Sequence, residues 1–419
     1  MTDIGKGAFV SCQGLTAVYI TDLAAWCGIS FGNVLANPLY YANKLYLDGV
    51  LVTDLVIPEG MTKIGDYVFS YCKGLASVTI PESVTSIGEA AFWHCTSLAS
   101  ITIPKGVTSI GDHAFSYCDS LTSVTFGANS ALKSIGSSAF EGCDRLASAT
   151  IPERVTSIGD RAFYECKNLT SSITIPEGVT SIGEYTFYQC NRLASVTFGA
   201  NSALESIGPF AFNGCGLLAS VTIPDSVTRI GNGAFRSCSN LINITIPEGV
   251  TSIGNSAFHG CDSLTSVIIP SSVTSMGDSA FSWCENLTTV TFGANSALKS
   301  IEVETFYKCE RLASITVPEG VTSIGERAFS GCKALGSITI PEGVTSIGEA
   351  MFKDCASLAS ATIPKSVTRI GRHAFCFCTR LTTIQYGGSS AEWVAITKDS
   401  AWDKYASAYT IVYDYDGDS

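Results

Sequence analysis

The sequence predicts a β-rich solenoid, a fold in which short coils of chain stack on one another around one continuous core. A unit with the constant positions C-x-x-L-x-x-V-x-I-P-x-x-V-T-x-I-G-x-x-A-F-x-x recurs from Cys72 to Cys378. Its cysteines are 23 residues apart at most steps, 25 at three steps and 24 at one, and a fixed period of this kind is typical of stacked repeats. Each unit has eight inward-facing residues, too few to fold alone, so the units must stack.

Each element of the unit follows from its residue pattern, as the copy that begins at Cys95 shows. Ile101 and Ile103 alternate with polar residues, which predicts a strand with one buried face. Pro104 has no N–H and ends this strand, and the following Gly106 permits a tight reversal. A second extended piece, V-T-x-I, then returns along the back of the coil. An Ala-Phe pair fills the interior in a turn before the next cysteine.

The period divides the chain into three parts. Residues 1–52 hold a partial repeat and an irregular insert, in which Asp48-Gly49 predicts a hairpin over Leu45–Val52. Residues 53–385 form the solenoid, and residues 386–419 form a C-terminal cap with a short helix from Ala391 and a strand over Tyr409–Tyr413. The end of a solenoid needs a cap because an exposed edge pairs with other chains.

We predict about 16 parallel strands, from Leu15–Ile20 to Leu381–Tyr386, in one concave sheet. The back carries short extended or 3-10 segments rather than full helices. Both walls then advance by nearly one strand spacing per coil, which predicts mild curvature. The cap also repeats a feature of the insert, since Trp393-x-x-Ile396 and Trp26-x-x-Ile29 each follow a repeat strand.

Composition excludes several classes of function. The 419 residues include 37 acidic and 25 basic side chains, for a net charge of −12 and a pI near 4.8. This balance argues against nucleic acid, which requires a basic surface, and against anionic membranes. No apolar run has the ~20 residues that cross a bilayer. The chain opens in mid-repeat without a signal peptide, which predicts a fragment of a longer protein.

Most of the 17 cysteines occupy one repeat position as small buried hydrophobic residues. Free thiols are the preferred interpretation, with inter-coil disulfides and metal binding as alternatives. Cys27 and Cys376 fall outside the repeat position, and a local redox role for Cys376 is a further alternative. Neither cofactor nor metal is predicted.

Candidate binding residues lie in the variable positions that follow each constant phenylalanine. Aromatic side chains collect there, and such side chains supply much of the energy of interfaces. The alternative is that the rings fill the edges of neighbouring coils. The candidates are Tyr71, Trp93, Tyr117, Tyr164, Tyr188, Trp283, Tyr307 and Phe377. Tyr164 and Tyr188, with the neighbouring Asn213-Gly214, are the preferred pair.

Two further surface patterns have simpler explanations. Ladders of Thr and Ser on the strands suit ice binding, but they also suit any exposed strand. Acidic residues follow the strand-ending prolines and form either a site for a basic partner or a solubilising edge. These acidic positions are Glu59, Glu82, Glu153, Glu177, Asp225, Glu248, Glu319 and Glu342. The tail Asp414–Ser419 matches only the start of an EF-hand loop. Catalytic motifs are lacking, so an enzyme is not predicted.

The recurring string I-P-x-x-V-T-x-I-G-x-x-A-F-x-x-C resembles the BspA-type leucine-rich repeat family over about residues 53–385. The chain lacks the usual turn asparagine of leucine-rich repeats except at Asn129, Asn201 and Asn295 in the three 25-residue steps. The resemblance implies a secreted or surface-displayed, adhesin-like protein whose partners are host or matrix macromolecules, either proteins or glycans. The alternative is a structural spacer or surface-layer component without a specific ligand.

Overall fold

The computed structural model describes residues 1–415. The chain is a β-solenoid of about 18 turns with parallel stacked strands and little helix, as the repeat predicts. Two compact units make up the chain. One comprises residues 1–204 with 211–217, and the other comprises residues 205–210 with the chain from residue 218 onward. The predicted boundaries at residues 52 and 385 stay predictions.

The L-x-x-V-x-I segments form one side of the coils, the front wall. Each predicted strand is present there. These strands are Val18–Ile20, Asp54–Val56, Ser77–Thr79, Ser100–Ile103, Ser123–Phe126, Ser148–Ala149, Ile173–Ile175, Val196–Phe198, Ser220–Thr222, Asn243–Thr245, Ser266–Ile269, Thr289–Phe292, Ser314–Ile315, Ser337–Thr339, Ser360–Ile363 and Thr383–Tyr386. Two further strands join this wall: Leu45–Leu47 of the predicted hairpin pairs in parallel with the first strand, and Thr410–Val412, within the predicted cap strand, pairs in parallel with the last.

The V-T-x-I segments form the back wall, which consists of extended residue pairs. Its strands are Asp3–Ile4, Ser30–Phe31, Lys63–Ile64, Ser86–Ile87, Ser109–Ile110, Ser134–Ile135, Ser157–Ile158, Ser181–Ile182, Ser206–Ile207, Arg229–Ile230, Ser252–Ile253, Ser275–Met276, Ser300–Ile301, Ser323–Ile324, Ser346–Ile347, Arg369–Ile370 and Thr397–Lys398. Neighbouring coils pair serine with serine and isoleucine with isoleucine, as in Ser109↔Ser134 and Ile110↔Ile135. This register buries the back-wall isoleucines from Ile64 to Ile370 in the core.

Prolines interrupt the hydrogen bonding of the front wall, which is paired in groups of two to four strands. A proline after the strand has no N–H for the carbonyl of the preceding coil. Where glycine replaces the proline, the bond returns. Gly127 donates to the carbonyl of Ile103 at 2.9 Å, and Gly293 donates to that of Ile269 at 2.8 Å. Glycine thus adds one inter-coil hydrogen bond that proline cannot make, although strands followed by proline also pair, as Ser220–Thr222 does with Asn243–Thr245.

The core consists of columns of identical side chains from successive coils. The constant phenylalanines from Phe69 to Phe375 are fully buried, and their rings stack in an offset, nearly parallel arrangement. In the first unit, from Phe69 to Phe212, ring centroids are 5.3–5.5 Å apart. In the second unit, from Phe235 to Phe375, they are 5.0–6.0 Å apart. Offset stacking of this kind adds to the free energy gained from burial.

The constant glycine after the back strand is required by close packing. A Cβ at Gly111 would lie 2.6 Å from the carbonyl carbon of Gly88 in the preceding coil. Its φ angle is not in the left-handed region, so backbone freedom is not the reason for this glycine. The coils approach each other too closely here for any side chain.

Two coils carry a helix between their front and back strands. Leu23–Cys27 forms one helix and Ser390–Ala395 the other, and they bury Trp26 and Trp393 respectively. This explains the repeated W-x-x-I string. The predicted start of the second helix is one residue late, because Ser389 and Glu392 form a capping box in front of it.

The insert continues with the 3-10 helix Val34–Ala36 and the helix Leu39–Ala42. The predicted hairpin follows, since Leu45–Leu47 pairs antiparallel with Val50–Leu51. The first strand of this hairpin also pairs with Val18–Ile20. The irregular segment thus contributes a strand to the front wall.

Candidate binding surface

The G-x-x-A-F-x-x-C segments form the third side of each coil, the turn wall. Its backbone contains two left-handed residues per coil, as at Tyr67 and Tyr71, with φ of 62° and 63°. Between these positions, every second N–H group donates to the next coil. Those of Tyr67, Phe69 and Tyr71 donate to carbonyls of the next coil at 2.8, 2.9 and 2.6 Å. These backbone N–H groups of the turn wall are therefore hydrogen-bonded to protein carbonyls, and the variable side chains of the wall point outward.

All eight predicted binding residues lie on the turn wall, in two kinds of position. Tyr71, Tyr117, Trp283 and Phe377 directly precede the constant cysteine and have left-handed backbones, whereas Trp93, Tyr164, Tyr188 and Tyr307 directly follow the constant phenylalanine. Phe377 is 40% exposed, and Tyr117 and Trp283 are each 36% exposed. The other five are half-buried. Each side chain thus has one part in contact with the protein and another in contact with solvent.

The first aromatic cluster spans three regular coils and the insert. The Tyr71 ring lies 5.3 Å from that of Trp93 and 4.7 Å from that of His94. The His94 ring also stacks on Tyr117 at 4.7 Å. Tyr40 of the insert meets Tyr71 edge to face at 4.7 Å. The cluster is therefore a continuous strip of rings along the turn wall.

The second cluster contains the preferred pair. Tyr164 and Tyr188 stack at 4.8 Å with an angle of 7° between their planes. The guanidinium of Arg161 lies 5.3 Å from the Tyr164 ring and 5.2 Å from that of Tyr185. Arg161 thus makes cation–π contacts at an exposed site, each worth about 0.5–1 kcal/mol. The next coil is joined through the Gln189 N–H, which donates to the Asn213 carbonyl at 2.7 Å.

Two more clusters lie in the second unit. Trp283 and Tyr307 meet edge to face at 6.0 Å, and Lys308 Nζ lies 3.9 Å from the centroid of Trp283. Phe377 stacks on Tyr405 at 4.8 Å. The structure therefore distributes the eight predicted residues among four separate clusters, two in each unit.

The titratable rings of the first cluster, Tyr71, His94 and Tyr117, are neutral near pH 7. Burial raises the pKa of Tyr71 to about 12. The pKa of Tyr117 is also raised to about 12, first by burial and then by its hydrogen bond to Glu141, with its Oη 2.9 Å from Glu141 Oε1. Burial lowers the pKa of His94. Neutral rings with polar edges suit contacts with neutral or weakly charged partners.

Contributors to these clusters outside the eight predicted residues include Tyr40, His94, Arg161, Tyr185, Lys308 and Tyr405. Arg161 was detectable, because it occupies the other left-handed position of the turn wall. The position two residues after the constant glycine therefore belongs to this surface too. Tyr40 and Tyr405 lie outside the regular repeat, so no repeat position marks them.

The cysteines of the repeat position form a buried column from Cys72 to Cys378. All 17 are free thiols. In a typical coil the Cys118 thiol donates to the carbonyl of Phe92 at 3.3 Å. Burial raises the pKa of Cys118 well above its usual value and that of Cys284 to about 12. Cys376 is 3% exposed, and its pKa is likewise raised, chiefly by burial, so the structure does not favour the redox alternative.

The remaining predicted surface features stay separate from the clusters. The acidic residues after the prolines are all exposed. Within residues 1–415, no group of three or more His, Cys, Asp and Glu side chains is placed to hold a metal ion. No helix among the same residues has the length and apolarity needed to cross a membrane. The EF-hand-like tail extends through residues 416–419, which lie outside the described part of the chain.

Stacked parallel coils with a leucine-rich consensus define the class of leucine-rich repeat solenoids. The BspA type Leucine rich repeat region matches six copies, over residues 43–170, 156–288 and 299–393. The chain belongs to this family. Proteins with this fold are typically not enzymes, and leucine-rich repeats generally mediate protein binding.

The chain is also similar to solved bacterial structures. A leucine-rich repeat protein from Bacteroides ovatus is 32% identical, with 86% of this chain and 92% of that chain covered and a TM-score of 0.72. A leucine-rich repeat protein from Eubacterium ventriosum is 29% identical, with coverage of 78% and 89% and a TM-score of 0.51. A leucine rich cell surface protein from Faecalibacterium prausnitzii is 33% identical, with coverage of 83% and 91% and a TM-score of 0.47. Among curated proteins, none matches the chain.

Proposed function

We propose that the protein is a non-enzymatic, adhesin-like binding protein of the cell surface or extracellular space. It engages host or matrix macromolecules, proteins or glycans, through the turn wall. The observation that carries this proposal is the gathering of the variable aromatic residues into clusters that remain partly open to solvent. Half-exposed Tyr and Trp beside a cation are the side chains that commonly anchor interfaces.

Family membership supports the compartment and the partner class. Repeats of this type generally bind proteins, and proteins of this family are associated with surface display. The same geometry also favours the alternative of a structural spacer, because the rings stack on rings of neighbouring coils. Stacking between coils is what simple edge filling would produce.

Substitutions at three clustered rings distinguish the two functions. The variant combines Tyr164→Ser, Tyr188→Ser and Trp283→Gly, which are residues that the chain itself uses at these positions, for example Ser70, Ser116 and Gly260. We therefore expect this variant to keep the fold. Loss of three anchors should weaken binding at least about 100-fold, since anchors commonly contribute 2 kcal/mol or more each.

Binding is measured by biolayer interferometry against a panel of immobilised matrix proteins and glycans. The control is Tyr19→Ser, which removes a 69% exposed tyrosine from the front wall and should leave affinity unchanged. The proposal fails if the native protein binds no member of the panel above background. It also fails if the triple variant binds as well as the native protein.

A further inference from the structure

The three 25-residue steps place a G-A-N-S loop where other coils have proline. This two-residue insertion changes the front wall beside it. In the second unit, pairing between Thr289–Phe292 and the next strand stops after Val290↔Ile315. On its other side, the same strand pairs over four residues, as far as Ile269↔Phe292. The wall is thus closed on one side of the insertion and open on the other.

A groove of about 670 Å³ occupies this opening. Phe292, Asn295 and Ser296 line one side of it, and Thr316, Pro318 and Glu319 line the other. The volume is in the range of sites for small ligands. We call it the loop groove.

The hydrogen-bonding groups of the loop groove are mostly neutral. Pro318 stands where Gly293 donates on the other side of the strand, so the carbonyl of Phe292 receives no N–H from that position. Asn295 and Thr316 are exposed and offer an amide and a hydroxyl. The half-buried Phe292 ring adds an apolar surface, and Glu319 supplies one carboxylate.

The same arrangement recurs in the first unit. Pairing there stops after Val124↔Ala149. A smaller groove of about 330 Å³ lies between Phe126 and Asn129 on one side and Glu153 and Arg154 on the other. Arg154 occupies the repeat position that Gly320 has in the loop groove. Grooves of this kind thus lie beside two of the three insertions.

We propose that the loop groove binds a short neutral oligosaccharide. Saccharides present many hydroxyl groups and one apolar face, which match hydroxyl, amide, carbonyl and carboxylate groups placed around a ring. A strongly charged ligand does not match this lining. An extended peptide is also disfavoured, because the unpaired part of the strand spans only Thr291 and Phe292. The site is separate from the aromatic clusters of the turn wall.

Saturation-transfer NMR with the whole chain tests this, with chitobiose, lactose, mannobiose and maltotriose as probes. At least one of them should receive saturation from the native protein. Gly320→Arg copies Arg154 and fills the groove, and a Cβ at Gly320 meets nothing closer than Lys299 Nζ at 3.5 Å. This variant should raise the dissociation constant about tenfold or more, as expected for the loss of one or two hydrogen bonds.

Matched controls separate the groove from the rest of the surface. Gly320→Ser, a residue that four other coils carry at this position, should bind as the native protein does. Glu319→Gln should weaken binding, whereas Glu342→Gln, the same position in a regular coil, should not. The triple turn-wall variant should keep saccharide binding, so failure of either proposal is recognised independently.

Three results would overturn the assignment. One is the absence of saturation transfer to all four saccharides from a folded native protein. Another is undiminished transfer in Gly320→Arg while circular dichroism shows the native fold. The third is displacement of the saccharide by an octapeptide of alternating Val and Thr, which would assign the groove to a β-strand ligand.

Discussion

At the scale of single residues, the stacking of the coils restricts the space and the backbone conformation at individual positions. Gly111 has no room for a Cβ, because the backbone of Gly88 lies 2.6 Å from where it would stand. Tyr117 adopts a left-handed backbone that disfavours bulky residues. Both are consequences of coils stacked at close spacing. Their effects can be tested one residue at a time.

Gly111→Ala should destabilise the protein by about 1–3 kcal/mol, the range for overpacking a well-packed site. The clash is with backbone, so no side chain can rotate away. Gly74→Ala is the control, because nothing lies within 4 Å of its Cβ. Urea unfolding followed by circular dichroism measures both variants. Equal unfolding midpoints would show that the coils can separate without cost.

The phenol of Tyr117 should ionise near pH 12, against an ordinary value of 10. Its pKa is higher in the folded state, so its contribution to stability is complete below pH 10 and is lost between pH 10 and 12. Difference titration at 295 nm between the native protein and Tyr117→Phe isolates this group. Glu141→Gln removes a hydrogen-bonded carboxylate and should lower the pKa. A difference titration centred at pH 10 would contradict the assignment.

At the scale of elements, the columns of the core explain most constant positions of the repeat. Phenylalanines stack on phenylalanines, and cysteines of the repeat donate to a carbonyl of the preceding coil, as Cys118 does to that of Phe92. These columns account for the cysteines without disulfide or metal chemistry. Their stability depends on neighbouring coils rather than on any one coil.

Thiol accessibility tests the cysteine column. Of the 17 thiols only that of Cys12, in the first coil, is half-buried, and the others are buried. We expect one thiol to react quickly with Ellman's reagent at pH 8 in the native protein and all 17 to react in denaturant. Cys12→Ser should abolish the fast reaction. Rapid reaction of several thiols in Cys12→Ser would show that the column opens in the native state.

At the scale of the whole molecule, stacking makes stability nearly a sum over coils and their neighbours. The repeat of 23 residues brings each side chain back to the same position on the next coil, as the register Ser252↔Ser275 shows. One coil can therefore be removed without altering the columns of its neighbours.

Deletion of residues 239–261, one full period, should leave a folded protein with the same circular dichroism spectrum per residue. Cys238 then leads directly into the segment that follows Cys261. Its stability should fall only slightly, because one inter-coil contact is lost. Deletion of residues 239–250 is the control, since it removes about half a coil and places polar residues in the core. Equal folding of both proteins would exclude register-dependent stacking.

The sequence by itself determined the coil, its period and the identity of the core. These features act within one unit, so one chain segment is enough to recognise them. They are the alternation at Ile101 and Ile103, the proline after the strand and the constant Ala-Phe pair. It also located the eight aromatic candidates on what proved to be one wall.

Only the tertiary structure decided which rings touch and where the front wall opens. Tyr40 of the insert contacts Tyr71 of a regular coil, and Arg161 lies over Tyr185 of the next coil. The opening beside Phe292 depends on an inserted loop in one coil and a proline in the next. Such features arise from the fit between coils, which the pattern of a single repeat does not contain.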